Sequence, residues 1–169
     1  MVSLVSAFRS PSHGLKALQT LVKSGVDISR ILDDGRTYLA LAAELSRDTR
    51  VLQYLYDNGC APHLNQQDKW GWTPLHYCVF VESSSLHNIQ TSKLRFLLTK
   101  GANLETKAGE NQRIPIPILD SDGFTPVDLS NYLEKGRPTG VTALLRSYVR
   151  DEDIFYDAVE SQGAAPVAA

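Results

Sequence analysis

One phrase occurs three times in this 169-residue chain: a glycine, one intervening residue, a threonine and then an apolar helical run. The copies begin at Gly35, Gly71 and Gly123. A single repeated unit of this size cannot bury its apolar face, so the copies must stack on one another. The repetition therefore predicts a linear array of similar units.

The residue types in the phrase predict a tight turn that leads directly into a helix. Glycine adopts the positive φ that such a turn needs, and the threonine hydroxyl caps the helix that follows. A proline fits the first helical turn, where its missing N–H costs nothing. The residues assigned to this structural motif are Gly35, Thr37, Gly71, Thr73, Pro74, Leu75, His76, Gly123, Thr125 and Pro126.

A second phrase, rich in leucine, ends each unit. Its leucines recur at helical spacing, and a glycine closes the helix at Gly25, Gly59 and Gly101. Glycine is favoured there because the residue that ends a helix often takes the left-handed conformation. Each unit is therefore predicted to hold two helices.

The best copy of the pattern lies between Asp68 and Leu104. Thr-Pro-Leu-His occupies residues 73–76, Gly71 lies two residues upstream, and Gly101 with an alanine follows the second helix. This pattern resembles the ankyrin repeat, over about residues 15–149. The resemblance implies an all-α solenoid of helix-turn-helix repeats with β-hairpin tips. It also implies that the histidine bonds to the backbone of neighbouring hairpins and is structural.

The repeat spacing predicts one ankyrin-repeat domain over residues 1–150. Gly71 and Gly123 are 52 residues apart, whereas the family period is about 33. The surplus is assigned to two insertions, and residues 151–169 are predicted to form a C-terminal extension with a disordered end. The predicted units are about 1–31, 32–67, 68–107 and 120–150, and the predicted insertions are about 81–91 and 107–120.

Composition excludes several classes of function. Seventeen Lys and Arg against 19 Asp and Glu give a net charge of -2, so there is no basic surplus to bind nucleic acid. The apolar runs fall far short of the about 20 residues that span a membrane. Two cysteines are too few for a disulfide framework and favour an intracellular protein, in cytoplasm or nucleus. We expect a monomer.

Neither an enzyme nor a metal or cofactor site is predicted. The sequence lacks a nucleophile elbow, a phosphate-binding glycine loop and a His-Glu-x-x-His motif. Cys60, His63, Cys78 and His87 lack the paired spacing of a zinc site. Both cysteines fall where the repeat places small packed residues, which predicts buried thiols.

The resemblance implies a protein-interaction module, because ankyrin stacks usually bind proteins on the concave surface of hairpin tips and first helices. Trp70 and Trp72 flank a turn glycine, and we interpret them as exposed anchors. Burial of both against the 107–120 insertion is the competing interpretation. The predicted partner-binding residues are Asp34, Arg36, Glu44, Lys69, Trp70, Trp72, Phe80, Phe124 and Tyr132.

Two alternatives remain open at the level of sequence. Aromatic residues concentrate near the two insertions, so a small-molecule site or a noncanonical enzyme could use a pocket between them and the concave face. The chain could also be a fragment of a larger regulatory protein, since its first unit lacks a hairpin. The sequence does not identify the partner protein.

Overall fold

The computed structural model describes residues 4–85, 91–109 and 122–149. These ranges contain eight α-helices and no β-strand, which confirms the predicted all-α class. A π-helical turn, Tyr56–Cys60, and a 3-10 turn, Ala61–His63, follow the fourth helix. The helices are α1 (Leu4–Arg9), α2 (Gly14–Lys23), α3 (Tyr38–Leu45), α4 (Thr49–Leu55), α5 (Pro74–Ser84), α6 (Thr91–Thr99), α7 (Pro126–Leu133) and α8 (141–149).

The helices form two layers. The first helices of successive pairs, α1, α3, α5 and α7, pack side by side, and the second helices α2, α4 and α6 do the same. Leucines from both layers meet between them and are completely buried. They include Leu39 and Leu75 from the first layer and Leu52 and Leu97 from the second. The continuous core explains why such units are stable only as a stack.

The first helices begin as the repeated phrase predicts. The Thr37 hydroxyl accepts a hydrogen bond from the Ala40 amide at 3.1 Å, and the Thr125 hydroxyl accepts one from the Asp128 amide at 3.2 Å. Pro74 occupies the first turn of α5, where no amide donor is needed. These caps satisfy amides that a helix start would otherwise leave unpaired.

The turns between units are held in register by backbone hydrogen bonds. Gly71 and Gly123 have φ of +81° and +90°, and a Cβ at Gly123 would lie 2.5 Å from the Ala108 carbonyl oxygen. The Lys69 amide donates to the Asp34 carbonyl at 3.1 Å, which joins one turn to the next. The turns therefore stack along one edge of the helical array, although the described residues form only an isolated bridge there.

Helix α5 extends into the segment assigned to the first insertion. The insertion was expected over about residues 81–91, yet α5 continues to Ser84, so residues 81–84 are helical. The reason is that Glu82 faces the core, where it pairs with Lys93 of α6. Residues 86–90, most of the 107–120 insertion and the 151–169 extension lie outside the described residues. The predicted unit boundaries stay predictions.

Across the described ranges, every helix is too short or too polar to cross a membrane.

Candidate functional site

Two positions of each repeat, one and nine residues after the turn glycine, meet on the same side of the stack. Arg36 Nη1 lies 3.1 Å from Glu44 Oε2, and the rings of Trp72 and Phe80 have centroids 6.2 Å apart. The following repeat places Phe124 and Tyr132 in the same register. We call this side the inner face, formed by Arg36, Glu44, Trp72, Phe80, Phe124 and Tyr132.

The N-terminal part of the inner face is a charged network. Arg36 is buried and bound on both sides, with Nε 2.8 Å from Asp34 Oδ2 and Nη1 on Glu44. Its guanidinium is therefore occupied within the fold and holds both carboxylates in place. The side chains of Asp34 and Glu44 remain 21% and 22% exposed, so they are the groups that a ligand would meet here.

The aromatic part of the inner face corrects the sequence analysis. Trp72 was interpreted as an exposed anchor, and that was wrong, since it is 1% exposed. The predicted partner-binding residue Phe124 is also 1% exposed. The Trp72 indole N–H donates to the Gly109 carbonyl at 3.0 Å, and its ring packs against Tyr77 and Phe124. A buried tryptophan with its N–H paired is a core residue, so neither ring is an open binding anchor.

The remaining aromatic residues are accessible to different degrees. Tyr132 is 36% exposed, whereas Phe80 and Trp70 are half-buried. The Lys69 ammonium lies 4.4 Å from the centroid of the Trp70 ring, and the Trp70 carbonyl accepts from the Gly109 amide. Burial of Trp70 against residues 110–120 falls outside the described residues. The accessible surface therefore runs from carboxylates at Glu44 to aromatic rings at Tyr132.

His76 links two repeats and has no free ring nitrogen. Its Nδ1 accepts from the Thr73 amide at 3.2 Å, and its Nε2 lies 3.3 Å from the Phe124 carbonyl oxygen. With Nδ1 as acceptor, the ring is neutral and Nε2–H donates to the next turn. Complete burial lowers the pKa of His76 to about 4. This is the bond to a neighbouring hairpin that the resemblance implies, and it favours a structural role.

The buried ring of His76 predicts acid sensitivity. The pKa is about 4 in the folded state and about 6.5 when the ring is exposed, so the unfolded chain binds more protons between these values. Stability should therefore fall as pH falls from 6.5 to 4, by up to about 3 kcal/mol from this group. Urea unfolding across that range measures the slope, which a His76→Gln variant should flatten. A folded-state His76 NMR signal that titrates near pH 6.5 would contradict the assignment.

The two cysteines are packed in the core rather than poised for chemistry. Burial raises the pKa of Cys60 to about 11 and that of Cys78 to about 12, so both are thiols at neutral pH. The Cys60 thiol lies 3.2 Å from the Ile28 carbonyl oxygen, to which it donates. Thiols are poor nucleophiles and metal ligands compared with thiolates. No metal-binding group of three or more side chains occurs among the described residues, and His87 lies outside them.

Thiol reactivity provides a direct check on this packing. In the folded protein at pH 8, Ellman's reagent is expected to modify both cysteines slowly, because reaction requires an exposed thiolate. In 6 M guanidinium chloride both should react within minutes. Rapid modification of either cysteine without denaturant would show that the site opens in the native state.

Comparison with known proteins identifies the repeat. A family model described as ankyrin repeats (3 copies) matches residues 6–108. Alpha-latrotoxin-Lhe1a from Latrodectus hesperus is 30% identical over 131 residues, and alpha-latrotoxin-Lt1a from Latrodectus tredecimguttatus is 28% identical over 130 residues. Each alignment covers 68% of this chain but spans only 9% of the toxin's length.

Proposed function

We propose a function for this chain from the family to which it belongs, the ankyrin repeats, which are generally protein-interaction modules. The chain binds a partner protein or peptide on its inner face. The observation that carries the proposal is the accessible strip from Glu44 through Phe80 to Tyr132. The strip combines carboxylates at one end with aromatic rings at the other, as protein interfaces often do.

The side chains of this strip and of the turns beside it have different roles in the proposed recognition. Phe80, Tyr132 and Trp70 supply apolar contact, because aromatic rings bury large areas at low entropic cost. Asp34 and Glu44, with Lys69 nearby, set the orientation of the partner and its rate of encounter. Arg36 and the buried Trp72 and Phe124 hold these groups in place.

The proposed role is that of an adaptor or regulator without catalytic activity of its own. The buried His76 and the high pKa values of Cys60 and Cys78 support this, because none of the three offers an accessible acid, base or nucleophile. The two cysteines are free, which supports a module that works inside the cell, in the cytoplasm or the nucleus.

Substitution of the accessible aromatics tests the inner face. A Phe80→Ala, Tyr132→Ala variant should weaken binding of the native partner by roughly 30-fold or more, because loss of an anchor costs about 2 kcal/mol. The partner is first captured from native cell extract with wild-type protein, and the affinity of each variant is then measured by calorimetry.

A matched control separates this effect from general damage. Gln53→Ala changes an exposed, uncharged residue of α4, in the other helical layer, and should leave the affinity within twofold. Both variants must show wild-type helical content by circular dichroism. Equal affinity of the folded aromatic variant and wild type would rule out the inner face as the binding surface.

A further inference from the structure

Charge is segregated between the two helical layers. None of the second helices, α2, α4, α6 and α8, contains an Asp or Glu. The acidic residues within the α-helices, Glu44, Glu82 and Asp128, all lie in first helices, and Asp57 lies in the π-helical turn that follows α4. The second helices carry the basic residues Lys16, Lys23, Arg50, Lys93, Arg95 and Arg146. A chain with net charge -2 therefore has one layer whose α-helices carry basic side chains and no acidic ones.

The second helices form a continuous surface. Helix α4 packs against α2 on one side and α6 on the other. At the start of α4 and α6, the hydroxyls of Thr49 and Ser92 are 2.9 Å apart. Near their ends, the Tyr56 and Phe96 rings meet edge to face at 5.9 Å between centroids.

All of these basic side chains except Lys93 are on exposed residues, and Lys100 extends the set beyond the end of α6. The Lys100 ammonium lies 5.0 Å from the Tyr56 centroid and 5.8 Å from the Phe96 centroid, so cation and aromatic groups share one patch. We call this surface the outer face, formed by Lys16, Lys23, Arg50, Arg95 and Lys100 with the rings of Tyr56 and Phe96.

Most of this positive charge has no compensating carboxylate in the described part of the chain. Arg50 is paired with Asp48 at 2.9 Å. Among the described residues, no carboxylate lies within 4.0 Å of the other four outer-face cations. The four cations without a carboxylate are Lys16, Lys23, Arg95 and Lys100. Asp57, exposed beside Tyr56, is the nearest acid in sequence to this patch.

We propose that the outer face is a second binding surface, which takes an acidic peptide segment of a partner protein. Carboxylates of such a segment would pair with Arg95 and Lys100, while an apolar side chain would contact the Tyr56 and Phe96 rings. A peptide fits better than a phosphate polymer, because the cations are few per helix and interleaved with hydroxyl and aromatic groups. The proposal is independent of the inner face, which lies on the other layer.

The chain itself contains a sequence of the required chemistry. Residues 151–160 include Asp151, Glu152, Asp153, Asp157 and Glu160 and no Lys or Arg. A peptide that copies these residues is therefore a suitable probe. The same carboxylates in the full-length chain would compete with this peptide. The test therefore needs a second host protein, in which these carboxylates are neutralised.

The test measures fluorescence anisotropy of the fluorescein-labelled 151–160 peptide against full-length protein in 50 mM salt. The host proteins are the wild type and a variant, called the neutralised host, whose five carboxylates in residues 151–160 are converted to Asn or Gln. We expect saturable binding to the neutralised host, weakened at least tenfold by Arg95→Glu with Lys100→Glu, and weakened further as salt rises to 300 mM. A peptide with amides in place of its carboxylates should not bind.

Two controls make the result specific to the outer face. Lys135→Glu reverses an exposed charge just beyond α7, in the first layer, and should leave peptide affinity within twofold. The Phe80→Ala, Tyr132→Ala variant should also bind the peptide normally, so failure of one surface does not imply failure of the other. Absence of binding to both hosts, or equal weakening by Lys135→Glu, would overturn the proposal. Binding of phosphatidylserine vesicles or RNA without binding of the peptide would also overturn it.

Discussion

Replacing Lys93 with methionine is expected to destabilise the folded stack by about 3–5 kcal/mol. The Lys93 ammonium lies 3.2 Å from Glu82 Oε1 and also donates to the Ala43 carbonyl at 3.1 Å. The two charged side chains are only 2% and 4% exposed. The substitution leaves the Glu82 carboxylate in the core without its cation, and such a charge is costly to bury. Guanidinium unfolding followed by circular dichroism measures the loss.

Removing both charges distinguishes this mechanism from loss of packing. A Lys93→Met, Glu82→Leu protein should recover most of the lost stability, because a buried ion pair can often be replaced by apolar groups of similar volume. Arg95→Met, an exposed change on the same helix, should stay within about 0.5 kcal/mol of wild type. If Lys93→Met lies within 1 kcal/mol of wild type, the pair contributes little. If the double variant is worse than the single one, packing rather than charge is responsible.

This ion pair was not predicted from the sequence, although the pattern marks one of its two members. Lys93 precedes Leu97 by four residues, which places a lysine on the apolar stripe of α6 and marks it as a residue in need of a partner. Glu82 could not be recognised as the partner in the same way, because it lies in the polar stretch that was assigned to the first insertion. Only the packing of α5 against α6 brings the two together.

Local chemistry explains why the repeated elements were predictable. Gly71 requires positive φ, and Thr73 with Pro74 starts a helix, wherever the phrase occurs in a chain. These properties depend on residues a few positions apart. The repeat therefore identified the helix starts and the side of the stack on which the turns lie.

Exposure of the aromatic side chains depends instead on contacts far along the chain. Trp72 is covered by the backbone at Gly109 and by the Phe124 ring, which lie 37 and 52 residues away. No pattern around a turn encodes these neighbours. The register of the repeat places Trp72, Phe80 and Tyr132 on one face but does not determine how deeply each is buried. Of the three, Trp72 is buried, Phe80 is half-buried and Tyr132 is exposed.

Trp72→Ala should cost about 3–5 kcal/mol of folding free energy, the usual range for loss of a buried large aromatic side chain. The ring lies between two repeats, with its centroid 5.1 Å from Tyr77 and 5.7 Å from Phe124, and its N–H is bound to the Gly109 carbonyl. The substitution leaves a cavity and removes the donor for that carbonyl. Thermal unfolding followed at 222 nm measures the effect without depending on tryptophan fluorescence.

Trp70→Ala is the matched control, because Trp70 is half-buried and lies two residues away on the same turn. Its loss should cost less than half as much, and Trp72→Phe should restore part of the stability lost in Trp72→Ala. Equal losses for the two alanine variants would contradict the burial difference. The Trp72 ring packs against the Phe80 ring. Any Trp72 variant that binds the partner less well is therefore expected to do so in proportion to the loss of folded protein. A Trp70 variant that stays folded instead reports on the surface itself.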